Sequence, residues 1–153
     1  MPNSYSKLYV QCVFAVKYRQ AMIEPRWRSD MMAVIGYFIN QTGCKALAVN
    51  GVADHVHLFF RLRPALAVAD VMRIVKANSS RWANQEIDLP RPFRWQTGYG
   101  VFSYSRDAIP NVCAYIQRQE IHHAKVPFRK EYINLLTQHG VDYNDQNLFH
   151  DPL

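Results

Sequence analysis

Two histidines one residue apart, His55 and His57, stand in the segment DHVHLFF, which alternates as a β-strand does. The strand period of two puts both imidazoles on one face and Val56, Leu58 and Phe60 on the other. Two imidazole nitrogens that converge in this way suit one divalent ion, and Asp54 at the strand edge is placed to orient a ligand. A bare pair is also met as one packed and one surface histidine, so it needs a third ligand and a reactive group beside it. The segment AYIQRQEIHHAK offers both, because Tyr115, Gln119 and His122 fall at i, i+4 and i+7 on one helical stripe. A lone tyrosine at the edge of an apolar stripe is ordinarily a half-buried aromatic with a wet hydroxyl. The Gln119 amide oxygen is usually solvated, but beside two imidazoles it is a hard donor that leaves coordination positions open for a phosphate.

The elements that must bring these groups together can be read from periodicity. Residues 8–17 alternate as a strand, and Pro25 opens a helix in which Met31, Met32, Ile35, Phe38 and Ile39 recur at helical spacing before Gly43. Residues 44–50 and 55–62 make a hairpin around Gly51 to Asp54. Residues 67–84 form an amphipathic helix with Val68, Val71, Met72, Val75 and Trp82 on its apolar face and Arg73, Lys76 and Arg81 elsewhere. After a Pro-broken loop, residues 93–104 are aromatic and β-prone, and Gly98 and Gly100 predict a bulge or strand pair near a ligand. A last helix is expected from Ile109 to Lys125, its buried side formed by Ile109, Val112, Cys113 and Ile116.

The order βαββαβ predicts an α+β fold, a ferredoxin-like antiparallel sheet with two helices on one face. The additional C-terminal helix carrying the tyrosine must then pack on the open sheet face or against a partner subunit. We expect one domain over residues 1–138 and a polar C-terminal tail over 139–153.

Composition narrows the function classes. The content is 49% hydrophobic and 20% charged, as in a folded globular protein, and no stretch is apolar enough for a membrane span or a signal peptide. Cys12, Cys44 and Cys113 are an odd number without C-x-x-C spacing, so neither a disulfide framework nor a zinc ribbon is expected, and a cytoplasmic protein is. The net charge is +6, and because residues 139–153 hold three Asp and no Lys or Arg, residues 1–138 carry +9. That excess favours a polyanionic partner through phosphate contacts. Candidate phosphate contacts are Lys17, Arg19, Arg61, Arg73, Lys76 and Arg81, with Trp95, Tyr99 or Phe102 as stacking platforms, although aromatic residues in a strand more often belong to a core. No G-x-x-x-x-G-K-[ST] loop is present, so no nucleotide cofactor is expected.

In order and spacing, DHVHLFF, WQTGYGVFSYS and YIQRQEIHH resemble the single-tyrosine transposases of the HUH endonuclease superfamily, the enzymes of insertion-sequence-200-like elements. The opening VFAVKYR and the segment around Lys76, Ser79 and Ser80 are similar to that family too, so the likeness spans nearly the whole chain. The resemblance implies that His55 and His57 bind a divalent metal, Mg2+ or Mn2+, with Gln119 as third ligand, and that Tyr115 is the catalytic nucleophile. It also implies a DNA transposase that cleaves and rejoins single-stranded DNA at hairpin-bearing element ends through a 5′-phosphotyrosine. Family enzymes work as homodimers joined edge to edge, with histidines and tyrosine helix drawn from one subunit or from two. Arg118 departs from the family, which commonly has Asn there.

Two other readings fit part of the pattern. A related HUH nickase that disperses repeated hairpin elements shares the fold and the chemistry. A non-catalytic module for single-stranded nucleic acid would share the sheet, the aromatics and the basic residues, but gives the histidine strand no purpose and lacks the K/R-G-F/Y-G/A-F-V-x-F/Y segment.

Overall fold

Four alternating segments pair into one antiparallel sheet: β1 (Tyr9–Ala15), β2 (Lys45–Gly51), β3 (His55–Arg61) and β4 (Gly100–Tyr104), in spatial order β2-β3-β1-β4. The computed structural model describes residues 4–17 and 22–148, and Arg19 lies outside them. Helices α1 (Pro25–Gln41) and α2 (Val68–Glu86) connect the strands as the ferredoxin-like pattern requires. Both lie on one face, where Trp27, Met31, Ile35, Ile39, Val71 and Val75 meet Cys12, Phe14, Val56, Leu58 and Phe60. Most of these side chains are wholly buried, each contributing on the order of 2 kcal/mol. Pro25 starts α1 because its missing N–H costs nothing there, and Gly43, at φ +90°, turns the chain out of it.

The opposite face carries the histidines, and three short helices close it: α3 (Ile109–Gln117), α4 (Gln119–His123) and α5 (Phe128–Gln138). Val112 and Ile116 of α3 pack on Tyr9 and Phe59, while Phe128, Leu135 and Leu136 of α5 pack on Val13, Ala15 and Phe102. Of the two places the sequence left open for the tyrosine helix, the sheet's own free face is the one used.

Three expectations need correction. The single helix from Ile109 to Lys125 is broken at Arg118, whose φ of −96° and ψ of 15° leave the helical range. Asn50 on β2 stabilises the break by donating its amide to the carbonyls of Ile116 at 3.0 Å and Gln117 at 3.3 Å, the helix-end acceptors that a continued helix would satisfy. The tyrosine therefore sits on the first of three helices after β4 instead of on one terminal helix, and α5 went unpredicted. The β-prone stretch 93–104 yields a strand only from Gly100; before it, Trp95 makes a lone bridge to Val16 and Gly98 bends the chain at φ +89°. No helix among the described residues is long and apolar enough to cross a membrane.

The tight β2–β3 connection aims the histidine strand, and Gly51 is what permits it. A Cβ at that position would stand 2.6 Å from the His55 carbonyl oxygen and 2.7 Å from Val56 Cγ1. Gly51→Ala should cost about 1–3 kcal/mol, read as a lowered denaturation midpoint. An unchanged midpoint would mean that the connection is slack.

Candidate active site

On β3 the alternation does what the sequence promised: His55, His57 and Phe59 face α3 to α5, and Val56, Leu58 and Phe60 face α1 and α2. Both imidazoles are fully buried, with rings 5.2 Å apart. The neighbouring strand orients them. In the β1–β3 register Ala15 lies opposite His55 and Val13 opposite His57, which leaves room for Gln11 to reach His57 Nδ1 with its amide at 2.9 Å. The Gln11 oxygen accepts from the Tyr104 hydroxyl at 2.9 Å. Asp54 Oδ1 lies 2.7 Å from His55 Nδ1, the arrangement that turns the other nitrogen, Nε2, toward a ligand.

Both Nε2 atoms point at Glu131 of α5. Its Oε1 is 2.9 Å from His57 Nε2, 2.9 Å from His123 Nε2 and 3.3 Å from His55 Nε2. Its Oε2 accepts from the Tyr115 hydroxyl and from the Gln119 amide, the latter at 3.1 Å. Gln119, wholly buried, also places Oε1 3.3 Å from His55 Nε2. His122 Nε2 comes within 3.1 Å of Glu131 Oε2 but lacks the alignment of a hydrogen bond. One carboxylate thus gathers the histidines, the glutamine and the tyrosine singled out in the sequence, all within one chain.

Electrostatics follow from this crowding. Burial works to raise the Glu131 carboxyl, but the bonds from His123, His55 and His57 outweigh it and hold the group well below the usual carboxylate range. For His55 burial pulls downward, yet Asp54 and Glu131 prevail and its pKa rises. His57 goes the other way: burial dominates and pushes it down to about 4. Burial, then the bond to Glu131, raise Tyr115 far above an ordinary phenol, so it rests protonated.

These shifts set how stability follows pH. Between pH 6.5 and about 4, unfolding lets His57 take up a proton it cannot hold when folded, so stability falls as pH drops through that window, by about 3 kcal/mol at full effect. His139, lowered by burial, adds in the same direction. His55 has the opposite sign: its contribution is complete below pH 6.5 and is lost as pH rises through its raised folded value. Asp54 and Glu131, both held low, begin to lose theirs only as pH approaches ordinary carboxyl values. Melting temperature should therefore decline from pH 6.5 to 4, and a flat profile there would contradict the burial of His57.

The donor set suits a divalent metal. Ligand atoms of His55, His57, His123 and Glu131 all lie within 4.8 Å of one another. Oε1 lies only 2.9–3.3 Å from the three nitrogens, so one ion could be shared among them. His123 and Glu131 were not among the expected ligands. The i, i+4, i+7 stripe held His122, whose Nε2 lies 3.1 Å from Glu131 Oε2, while His123, beside that stripe, meets Oε1 at 2.9 Å. Glu131 had a visible signal, since it is a charged residue within the apolar spacing Phe128, Tyr132, Leu135 and Leu136.

Other candidates are dispersed. Arg61 ends the histidine face of β3, half-buried, while Arg73 and Arg81 are exposed on α2 and Lys17 follows β1. Lys76 is spent internally, donating to the carbonyls of Gln96 at 2.8 Å and Gly98 at 2.5 Å, and burial lowers its pKa to about 8. Trp95 packs edge-on against Phe14 and Phe93 and donates to Ser79 Oγ at 2.8 Å. Phe102 is buried beneath α5 and Tyr99 is half-buried.

Comparison with known proteins places this arrangement. The fold is similar to that of a candidate transposase from Deinococcus radiodurans R1, with TM-score 0.64 and 21% identity over 78% of this chain and 95% of that one. It is also similar to a REP-associated tyrosine transposase bound to a REP hairpin, with TM-score 0.60 and 12% identity over 82% of this chain and 74% of that one. No curated protein matches the chain. The model of the family described as IS200-like transposases matches residues 4–119, three quarters of the sequence and all of the elements from β1 through Gln119, so the chain belongs to the IS200-like transposase family.

Proposed function

We propose that this transposase is a metal-dependent single-stranded DNA endonuclease and strand transferase that acts through a 5′-phosphotyrosine on Tyr115. The observation that carries the reading is the shared carboxylate: the hydroxyl of Tyr115 and three imidazoles meet on Glu131. A nucleophile and a metal-binding set thus stand side by side in one buried centre.

His55, His57 and His123 would hold the cation with Glu131, and Gln119 stands ready as a further oxygen donor. Three imidazoles favour Mn2+ over Mg2+. When bound, the cation supplies positive charge against the oxygens of the scissile phosphate, where negative charge builds during attack. Tyr115 Oη forms the new bond to phosphorus as its proton leaves, the bond from phosphorus to the 3′ oxygen breaks, and that oxygen takes up a proton. The phosphodiester energy is kept in the tyrosyl ester, so a 3′ hydroxyl can reverse the step without ATP. His55, oriented by Asp54, and His57, oriented by Gln11, present fixed nitrogens, so the site needs little rearrangement to act.

The substrate we assign is single-stranded DNA with hairpins at element ends, in line with the hairpin on the REP-associated relative. Arg61, Arg73 and Arg81 are the phosphate contacts we favour, because Lys76 and Trp95 are engaged inside the fold. The outer strands β2 and β4 each keep an edge that a second copy can extend into a homodimer. The free thiols suit the reducing cytoplasm, where we place the reaction.

A labelled strand from the gene's own flanks, incubated with Mn2+, should be cut, and chelation should stop the cutting while leaving binding intact. Binding with no cutting in either metal would favour a non-catalytic nucleic-acid module.

A further inference from the structure

Glu131 serves two sets of partners with its two oxygens. Oε1 faces the imidazoles of His55, His57 and His123, whereas Oε2 holds the Tyr115 hydroxyl and the Gln119 amide. The carboxylate is only 2% exposed, so these bonds are made away from bulk water, where each is strong. Its backbone is held on both sides: Phe128, one turn earlier, stacks on His55 with centroids 3.9 Å apart, and Leu135, one turn later, is buried in the core. Both oxygens hang from one planar carbon, so neither can move alone.

We propose that Glu131 is a positioning residue that couples cation binding to the Tyr115 hydroxyl, one oxygen answering the cation and the other passing that answer to the nucleophile. The inference rests on the metal-site reading given above. With a cation seated among the three imidazoles, Oε1 would be drawn toward it and share its charge. Oε2 then shifts and weakens as an acceptor, which changes the hold on Tyr115. Coupling of this kind is reciprocal: the bond from Tyr115 to Oε2 must alter cation affinity by the same factor that the cation alters that bond.

The test uses the full chain with 3-fluorotyrosine at position 115 and Zn2+ as the probe, a diamagnetic ion that does not broaden a nearby fluorine resonance. Zn2+ should shift the 19F signal of the parent in step with binding followed by calorimetry. In Glu131→Gln, Zn2+ should bind at least tenfold more weakly and leave the signal unmoved. A shift of parent size in Glu131→Gln, or none in the parent at saturation, would overturn the proposal. If circular dichroism shows that Glu131→Gln does not fold, Tyr115→Phe decides. Losing the competing donor on Oε2 should tighten Zn2+ binding about three- to tenfold, and unchanged affinity refutes the coupling. None of these readouts involves DNA, so failure of the nuclease reading would appear separately, as a metal-responsive Tyr115 that never links to a strand.

Discussion

Tyr115→Phe protein is expected to bind single-stranded DNA as the parent does and to form no covalent adduct. The substitution removes one oxygen and keeps the ring, whose edge contacts with His57 and His122, at centroid distances of 5.8 and 5.4 Å, persist. The Glu131 oxygen that loses the hydroxyl retains the Gln119 amide, so the fold should lose no more than about 1–3 kcal/mol. Adduct formation, in contrast, should fall by at least about 10⁴-fold, since losing a nucleophile disables the whole catalytic unit. Denaturing gels read the adduct and gel shifts read the binding. A protein–DNA band that survives the substitution would move the nucleophile elsewhere.

His57→Ala should remove metal-dependent cleavage while Tyr115 stays in place. His57 contributes one of the three nitrogens around Glu131, and its complete burial disfavours the charged imidazolium. On the proposed mechanism its removal would take a ligand from the cation and several kcal/mol from the transition state, a fall of about 10³-fold or more in cleavage rate. Raising Mn2+ should recover little of this, because the remaining donors no longer enclose the ion. Cleavage at the parental rate in the variant would mean that the centre around Glu131 is structural only.

Much of this centre was legible in the chain because short-range periodicity governs it. Alternation placed His55 and His57 on one face and Val56, Leu58 and Phe60 on the other, and the i, i+4 spacing put Tyr115 and Gln119 on one stripe. Glu131 stands out as a charge within an apolar spacing, but the groups it gathers were out of reach. They lie 74 and 76 residues away on β3, 16 residues away on α3 and 8 residues away on α4, and only tertiary packing brings them in. The break at Arg118 was equally hidden, since Asn50, which satisfies the freed carbonyls, belongs to another strand. The helix propensity of the YIQRQEIHH run gave no hint of it. Lys76 and Trp95 show what residue type alone does not reveal: side chains suited to phosphate and base are also bonded to the carbonyls of residues 96 and 98 and to a serine hydroxyl.

The measurement closest to the central claim is to trap the adduct and locate it. DNA labelled at its 3′ end, incubated with protein and Mn2+, should leave its label on the protein, because a 5′-phosphotyrosine retains the downstream fragment. Trypsin should then release the DNA on the peptide spanning residues 107–118, whose only tyrosine is Tyr115. Label on any other peptide, or cleaved DNA with a free 5′ phosphate and no attached protein, would contradict the account.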